Sequence, residues 1–164
     1  MFKHLLIISV VLFVQLSANV LQDAIDNAPE GSILKLPAGV YSGNIKINKP
    51  ITIIGKEDGV IIDGKEFGTV ITIKSSFVTL KNLKIIGSGD RHEKVDAAIS
   101  ISEAKQCEIS NCVIEDCLFG INMEMVNNSI VSNNHITSKK LTLGLRGDGL
   151  KLWYSNNNLI EKNS

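Results

Sequence analysis

His92, Cys107, Cys112, Cys117, Met123, Met125 and His135 place imidazole, thiol and thioether groups in the C-terminal half of the chain. Soft sulfur ligands combined with imidazole are the chemistry of copper(I). Met123 and Met125 follow Ile121 at intervals of two, so strand alternation turns both methionines toward an apolar interior. His92 lies in the polar run Gly87-Ser88-Gly89-Asp90-Arg91-His92-Glu93, and His135 stands between Asn134 and an inward Ile136, so both rings face solvent as available ligands. His92, His135, Met123 and Met125 are the candidate copper set, although no spacing forces them together.

Carboxylates offer a second chemistry. Glycoside hydrolysis needs two carboxyl groups on one outward face, and Glu115-Asp116 and Asp58 with Asp63 are the nearest pairs. Adjacent strand residues point to opposite faces, and aromatics are only 5% of the chain, with Trp153-Tyr154 as their sole cluster. The residues therefore argue against a catalytic sugar site. Arg146-Gly147-Asp148-Gly149 makes a turn that leads into Leu150-Lys151-Leu152-Trp153; Arg146, Asp148 and Trp153 are candidate contacts for a partner.

The elements that must hold these groups follow from periodicity. Val20, Leu21, Ala24, Ile25 and Ala28 recur at helical spacing, ended by Pro29-Glu30-Gly31-Ser32. From Ile33 onward the period is two, in short Ile- and Val-rich runs separated by Gly, Asn, Asp or Ser, with no second helix to serve as a crossover. Internal repeats decide among the all-β architectures. Leu80-Lys81-Asn82-Leu83-Lys84-Ile85 aligns with Ile109-Ser110-Asn111-Cys112-Val113-Ile114, Ser132-Asn133-Asn134-His135-Ile136 and Ile160-Glu161-Lys162-Asn163, with Asn spacings of 29, 22 and 30. Cys112 matches Leu83 and belongs inside. The spacing predicts an all-β, right-handed parallel β-helix of about six coils at roughly 22 residues each, capped at its N-terminal end by the helix. Insertions at Gly87 to Asp96 and Lys139 to Asp148 should project from one corner. The recurring Asn reads as a structural ladder at the turns.

Residues 1–18 carry Lys3 and His4, then an apolar run from Leu5 to Val14 and the exit Leu16-Ser17-Ala18, the pattern of a signal peptide cleaved after Ala18. Export to the periplasm follows, with the domain at residues 19–164. No later segment is apolar enough to span a membrane, so any membrane association runs through a partner. The 17 basic and 17 acidic residues balance, which removes the electrostatic footprint of a nucleic-acid binder. Three cysteines are too few for a disulfide scaffold. The sequence stops at Asn163-Ser164 where a strand should begin, which reads as C-terminal truncation.

Leu21-Gln22-Asp23-Ala24-Ile25, Ala28-Pro29-Glu30-Gly31, Leu36-Pro37-Ala38-Gly39-Val40-Tyr41, Ile51-Thr52-Ile53-Ile54-Gly55 and Ile61-Ile62-Asp63-Gly64 together resemble the opening of exported β-helix proteins of the carbohydrate-binding and sugar-hydrolase type, pectin esterases among them. With Gly87-Ser88-Gly89 and the stretch from Arg146 to Trp153, the chain resembles the N-terminal part of the NosD-like accessory proteins of nitrous oxide reductase maturation. That resemblance implies a non-enzymatic copper-delivery role beside an ABC transporter permease and ATPase and the reductase itself, with no individual copper ligand carried over. The alternative is a carbohydrate-binding or polysaccharide-modifying protein of the pectin esterase or lyase type.

Overall fold

Isoleucine at every second position makes strands whose one face must be buried, and strands of three to six residues are too short to bury it in pairs. Stacking in parallel solves this. A computed structural model describes residues 20–164, so the leader at residues 1–18 lies outside the described residues. The chain winds as β1 (Ser32–Leu36), β2 (Gly39–Ser42), β3 (Ile45–Ile47), then β4 (Ile51–Gly55), β5 (Val60–Asp63), β6 (Ile71–Ile73), then β7 (Val78–Lys81), β8 (Lys84–Ile86), β9 (Ala97–Ser102). It continues as β10 (Glu108–Ser110), β11 (Val113–Cys117), β12 (Phe119–Glu124), then β13 (Ile130–Ser132), β14 (His135–Ser138), β15 (Leu150–Trp153), and enters a sixth rung with β16 (Leu159–Glu161).

Each rung gives one strand to each of three parallel sheets: sheet A is β1-β4-β7-β10-β13-β16, sheet B is β2-β5-β8-β11-β14, and sheet C is β3-β6-β9-β12-β15. This is a right-handed parallel β-helix. The registers stack like on like. Ile45, Ile71, Ile99, Ile121 and Leu150 form one column of sheet C, and Ile47, Ile73, Ile101, Met123 and Leu152 form the next. Met123 thus occupies an isoleucine site in the bore. The members below β15 are fully buried, and each contributes about 1.5–3 kcal/mol.

Helix α1 (Val20–Asn27) closes the first rung with Leu21 and Ile25, both in the core. Its Gln22 side chain does what a neighbouring strand would do for the free edge of β3: Oε1 accepts from the Lys46 N–H at 2.7 Å and Nε2 donates to the Lys46 carbonyl at 3.0 Å. Lys49 Nζ donates to the carbonyls of Asp26 and Ala28 at 2.8 and 2.9 Å, satisfying acceptors left open at the helix end.

Three expectations change in detail. Met125 does not face the bore: β12 ends at Glu124, and Met125 sits at the corner between sheets C and A with φ +53°, exposed. The fourth repeat mark is Lys162, because β13 pairs with β16 through Ile130–Leu159 and Ser132–Glu161, so Asn163 stacks on Asn134 and the last interval is 29. The Asn marks also divide into two roles. Asn82, Asn111 and Asn133 take the left-handed conformation at an exposed corner, a position Lys162 then fills. The side-chain ladder is built one residue later, inside: buried Asn134 accepts from the Cys112 N–H at 2.9 Å and donates to the Ile109 carbonyl at 3.0 Å, and Asn163 accepts from the Asn134 backbone and side chain at 3.0 and 2.9 Å.

Candidate functional site

The corner between sheets B and C carries the long loops. Residues 64–70, 87–96 and 139–149 project there from the second, third and fifth rungs, whereas the fourth rung turns through Leu118 alone between β11 and β12. The long neighbours meet over that short rung. His92 Nε2 lies 3.0 Å from the Leu145 carbonyl, and its ring stands edge-on to Phe119 at 5.7 Å. Gly147 fits because it has no Cβ, which would lie 2.5 Å from the Leu118 carbonyl oxygen and 2.7 Å from the Phe119 ring. The Arg-Gly-Asp-Gly stretch, expected to turn, is instead extended, with Arg146 at φ −85° and ψ 141°, because it packs along the fourth rung.

Beside these loops, the outer face of sheet B is a groove. Two hollows of about 470 and 550 Å³ lie along it and share Glu115 and Asp116; a third, of about 580 Å³, lies at the corner between sheets A and B among residues 55–59, Asn82 and Asn111 and meets the first of them at Lys84. Across four rungs, at about 4.8 Å each, the groove extends roughly 15 Å. Alternation supplies its floor: Ile61, Lys84, Val113 and His135 form one outward row, and Asp63, Ile86 and Glu115 the next.

Its charges are interleaved. Lys84 Nζ lies 2.7 Å from Glu115 Oε2, and Lys65 Nζ 2.7 Å from Asp63 Oδ2. Lys139, buried, reaches from the fifth rung to the Glu66 carboxylate of the second and lies 3.8 Å from Asp116 of the fourth. Desolvation pushes the Asp116 carboxyl above the ordinary range, and the adjacent Glu66 adds to this; the hydrogen bond from Lys139 holds Glu66 below its ordinary value. Desolvation acts on Asp63 too, but the side-chain and backbone hydrogen bonds and charge of Lys65 outweigh it and lower that carboxyl.

Glu115 and Asp116 overturn the expectation that adjacent acids must face opposite ways. The β11–β14 register shifts between Ile114 and Cys117, and Asp116 adopts φ +51°, so both acids face outward and Cys117 still turns in. A bulge re-aims side chains in this way. Glu66 and Asp116, from the second and fourth rungs, are thus joined through the Lys139 ammonium.

The candidate copper residues are dispersed. His92 lies over the B–C corner, His135 opens β14 at the A–B side with Nδ1 3.0 Å from Ser164 Oγ, Met123 is in the bore and Met125 is at the C–A corner. The described residues contain no cluster of three or more His, Cys, Asp and Glu side chains arranged to hold a metal ion. All three thiols are buried and free. Arg146 and Asp148 are exposed at one end of β15, with Arg146 Nε donating to the Leu141 carbonyl at 2.8 Å; Trp153 is exposed at the other end, edge-on to Tyr154 at 5.2 Å.

Comparison with known proteins accords with the fold. A solved structure of a mutant pectin methylesterase in complex with a hexasaccharide superposes with a TM-score of 0.52 at 14% identity, covering 85% of this chain and 61% of that one. At that identity the likeness is one of fold, and this chain spans 61% of the length of that one. No curated protein sequence matches the chain. The family described as "Right handed beta helix region" matches residues 51–164, from β4 to the last residue. With that match over most of its length, the chain belongs to the right-handed β-helix family.

Proposed function

We propose that this chain is an exported binding protein whose sheet B groove holds an extended polysaccharide. One observation carries the reading: a continuous outward groove across four rungs, lined by hydrogen-bonding side chains at Asp63, Lys84, Glu115, Asp116 and Thr137. Sugar hydroxyls donate and accept at once, and interleaved carboxylates and ammonium groups serve both needs. The net charge of zero over the whole chain favours this over capture of a polyanion by bulk charge. A protein of the same fold has been solved with a hexasaccharide, which supports a sugar chain as occupant. The mode of action is binding, since Lys139 engages the Glu66–Asp116 pair.

The test is titration calorimetry of the purified chain against hexasaccharides of galacturonate, of methyl-esterified galacturonate and of glucose. Binding to at least one is expected, weakened about tenfold or more by Lys84→Ala and by Asp116→Asn, since a hydrogen bond to a charged group contributes about 1.5–3 kcal/mol. No binding to any, or equal binding by both variants, contradicts the groove.

A second reading, copper delivery with an ABC transporter to nitrous oxide reductase in the periplasm, is favoured by the exposed Trp153–Tyr154 pair at the end of the stretch that carries the NosD-like resemblance. It predicts copper(I) uptake by the reduced chain, lower in His92→Ala or His135→Ala. Unchanged stoichiometry in both variants removes these histidines from that role.

A further inference from the structure

Phe67 directly follows Lys65 and Glu66, which line the groove, and its side chain is not packed away: the residue is 66% exposed. Exposed aromatic surface is costly to leave in water, yet here the chain holds it out on a strained and heavily braced loop. Lys65, Glu66 and Gly68 adopt φ values of +56°, +58° and +60°. Two successive non-glycine residues in the left-handed region cost on the order of 1–2 kcal/mol each, and such strain is retained where the surroundings fix it.

The bracing is specific. Asp63 Oδ1 accepts from the Lys65 N–H at 2.8 Å, the Gly87 carbonyl accepts from the Glu66 N–H at 2.9 Å, and Asn44 Nδ2 donates to the carbonyls of Phe67 and Thr69. The Arg91 guanidinium lies 5.4 Å from the Phe67 ring centroid. Arg91 is itself fixed by Asp96, only 2% exposed, whose carboxylate accepts from Arg91 Nε at 2.9 Å, Nη2 at 3.1 Å and the backbone N–H at 3.1 Å. With the guanidinium over the ring and two thirds of the residue exposed, the ring is oriented before any ligand arrives.

We propose that Phe67 is the stacking platform of the polysaccharide site, taking the C–H face of one pyranose ring while the polar groups of sheet B take the hydroxyls of its neighbours. Arg91 is a positioning residue that holds the ring in place. This rests on the polysaccharide reading above. A preorganised aromatic contributes affinity because little side-chain freedom remains to be lost on binding.

The experiment compares wild type, Phe67→Ala, Phe67→Trp and Arg91→Met by calorimetry with whichever of the three hexasaccharides the wild type binds, alongside thermal unfolding. Phe67→Ala is expected to weaken binding at least tenfold with its melting midpoint within a few degrees of wild type, Phe67→Trp to bind as well or better, and Arg91→Met to fall between. Binding by Phe67→Ala equal to wild type, while Lys84→Ala is impaired, overturns the platform and leaves the groove standing. Weakened binding that Phe67→Trp fails to restore also overturns the platform. Absence of binding by wild type to all three sugars overturns both.

Discussion

Aspartate in place of Ile99 is expected to abolish cooperative folding. Ile99 is fully buried in sheet C between Ile71 below and Ile121 above. A carboxylate there would have neither water nor a partner, and its desolvation costs several kcal/mol against a total stability on the order of 5–15 kcal/mol. The milder Ile99→Ala removes methyl groups from a close-packed column and should cost about 2–5 kcal/mol. Urea unfolding followed by far-ultraviolet circular dichroism reads both. A sigmoidal transition for Ile99→Asp at the wild-type midpoint would contradict the stacked bore.

The second large effect concerns the thiols. Burial pushes Cys112 and Cys117 up to about 11, from a reference of 9.0, and raises Cys107 as well. At pH 8 a thiol titrating near 11 has a thiolate fraction about 100-fold lower than one titrating near 9, and steric enclosure slows attack further. Native protein should therefore react with iodoacetamide at least 100-fold more slowly at Cys112 and Cys117 than urea-unfolded protein. Mass spectrometry of tryptic peptides distinguishes the sites. The same shift makes stability depend on pH: the folded state keeps protons that the unfolded state releases, so stability is full below about pH 9 and declines as pH rises toward about 11, by on the order of 2–3 kcal/mol for each thiol. Rapid labelling of the native chain at pH 8, or an alkaline midpoint unchanged up to pH 11, would refute the interior placement.

The sequence makes the bore legible because its signal is local. Alternating isoleucine sets inside and outside within each strand, the repeat marks set the stacking, and Met123 falls on an isoleucine column as alternation requires. The two insertions, read at Gly87 to Asp96 and Lys139 to Asp148, are equally visible, since they interrupt the repeat spacing, and they do share one corner. The site is less legible because its geometry depends on breaks in that regularity. Alternation alone sends Asp116 to the opposite face from Glu115, and only the bulge at β11 reverses this. Lys139 and Glu66 are 73 residues apart, joined because the fourth rung has a one-residue turn that lets the second and fifth rungs approach. Met125 goes astray for a related reason: alternation holds only as far as the strand, and β12 stops one residue short of it. Of the signals present, the shortened 22-residue rung between two 29-residue ones marks where the loops could close over a site.

Hydrogen exchange with and without a bound hexasaccharide tests most directly the claim that sheet B is the functional face. Added protection is expected in β5, β8, β11 and β14 and in residues 64–70, with β12 and β15 of sheet C unchanged. Protection confined to β15, Trp153 and Tyr154, with sheet B unaffected, would contradict it.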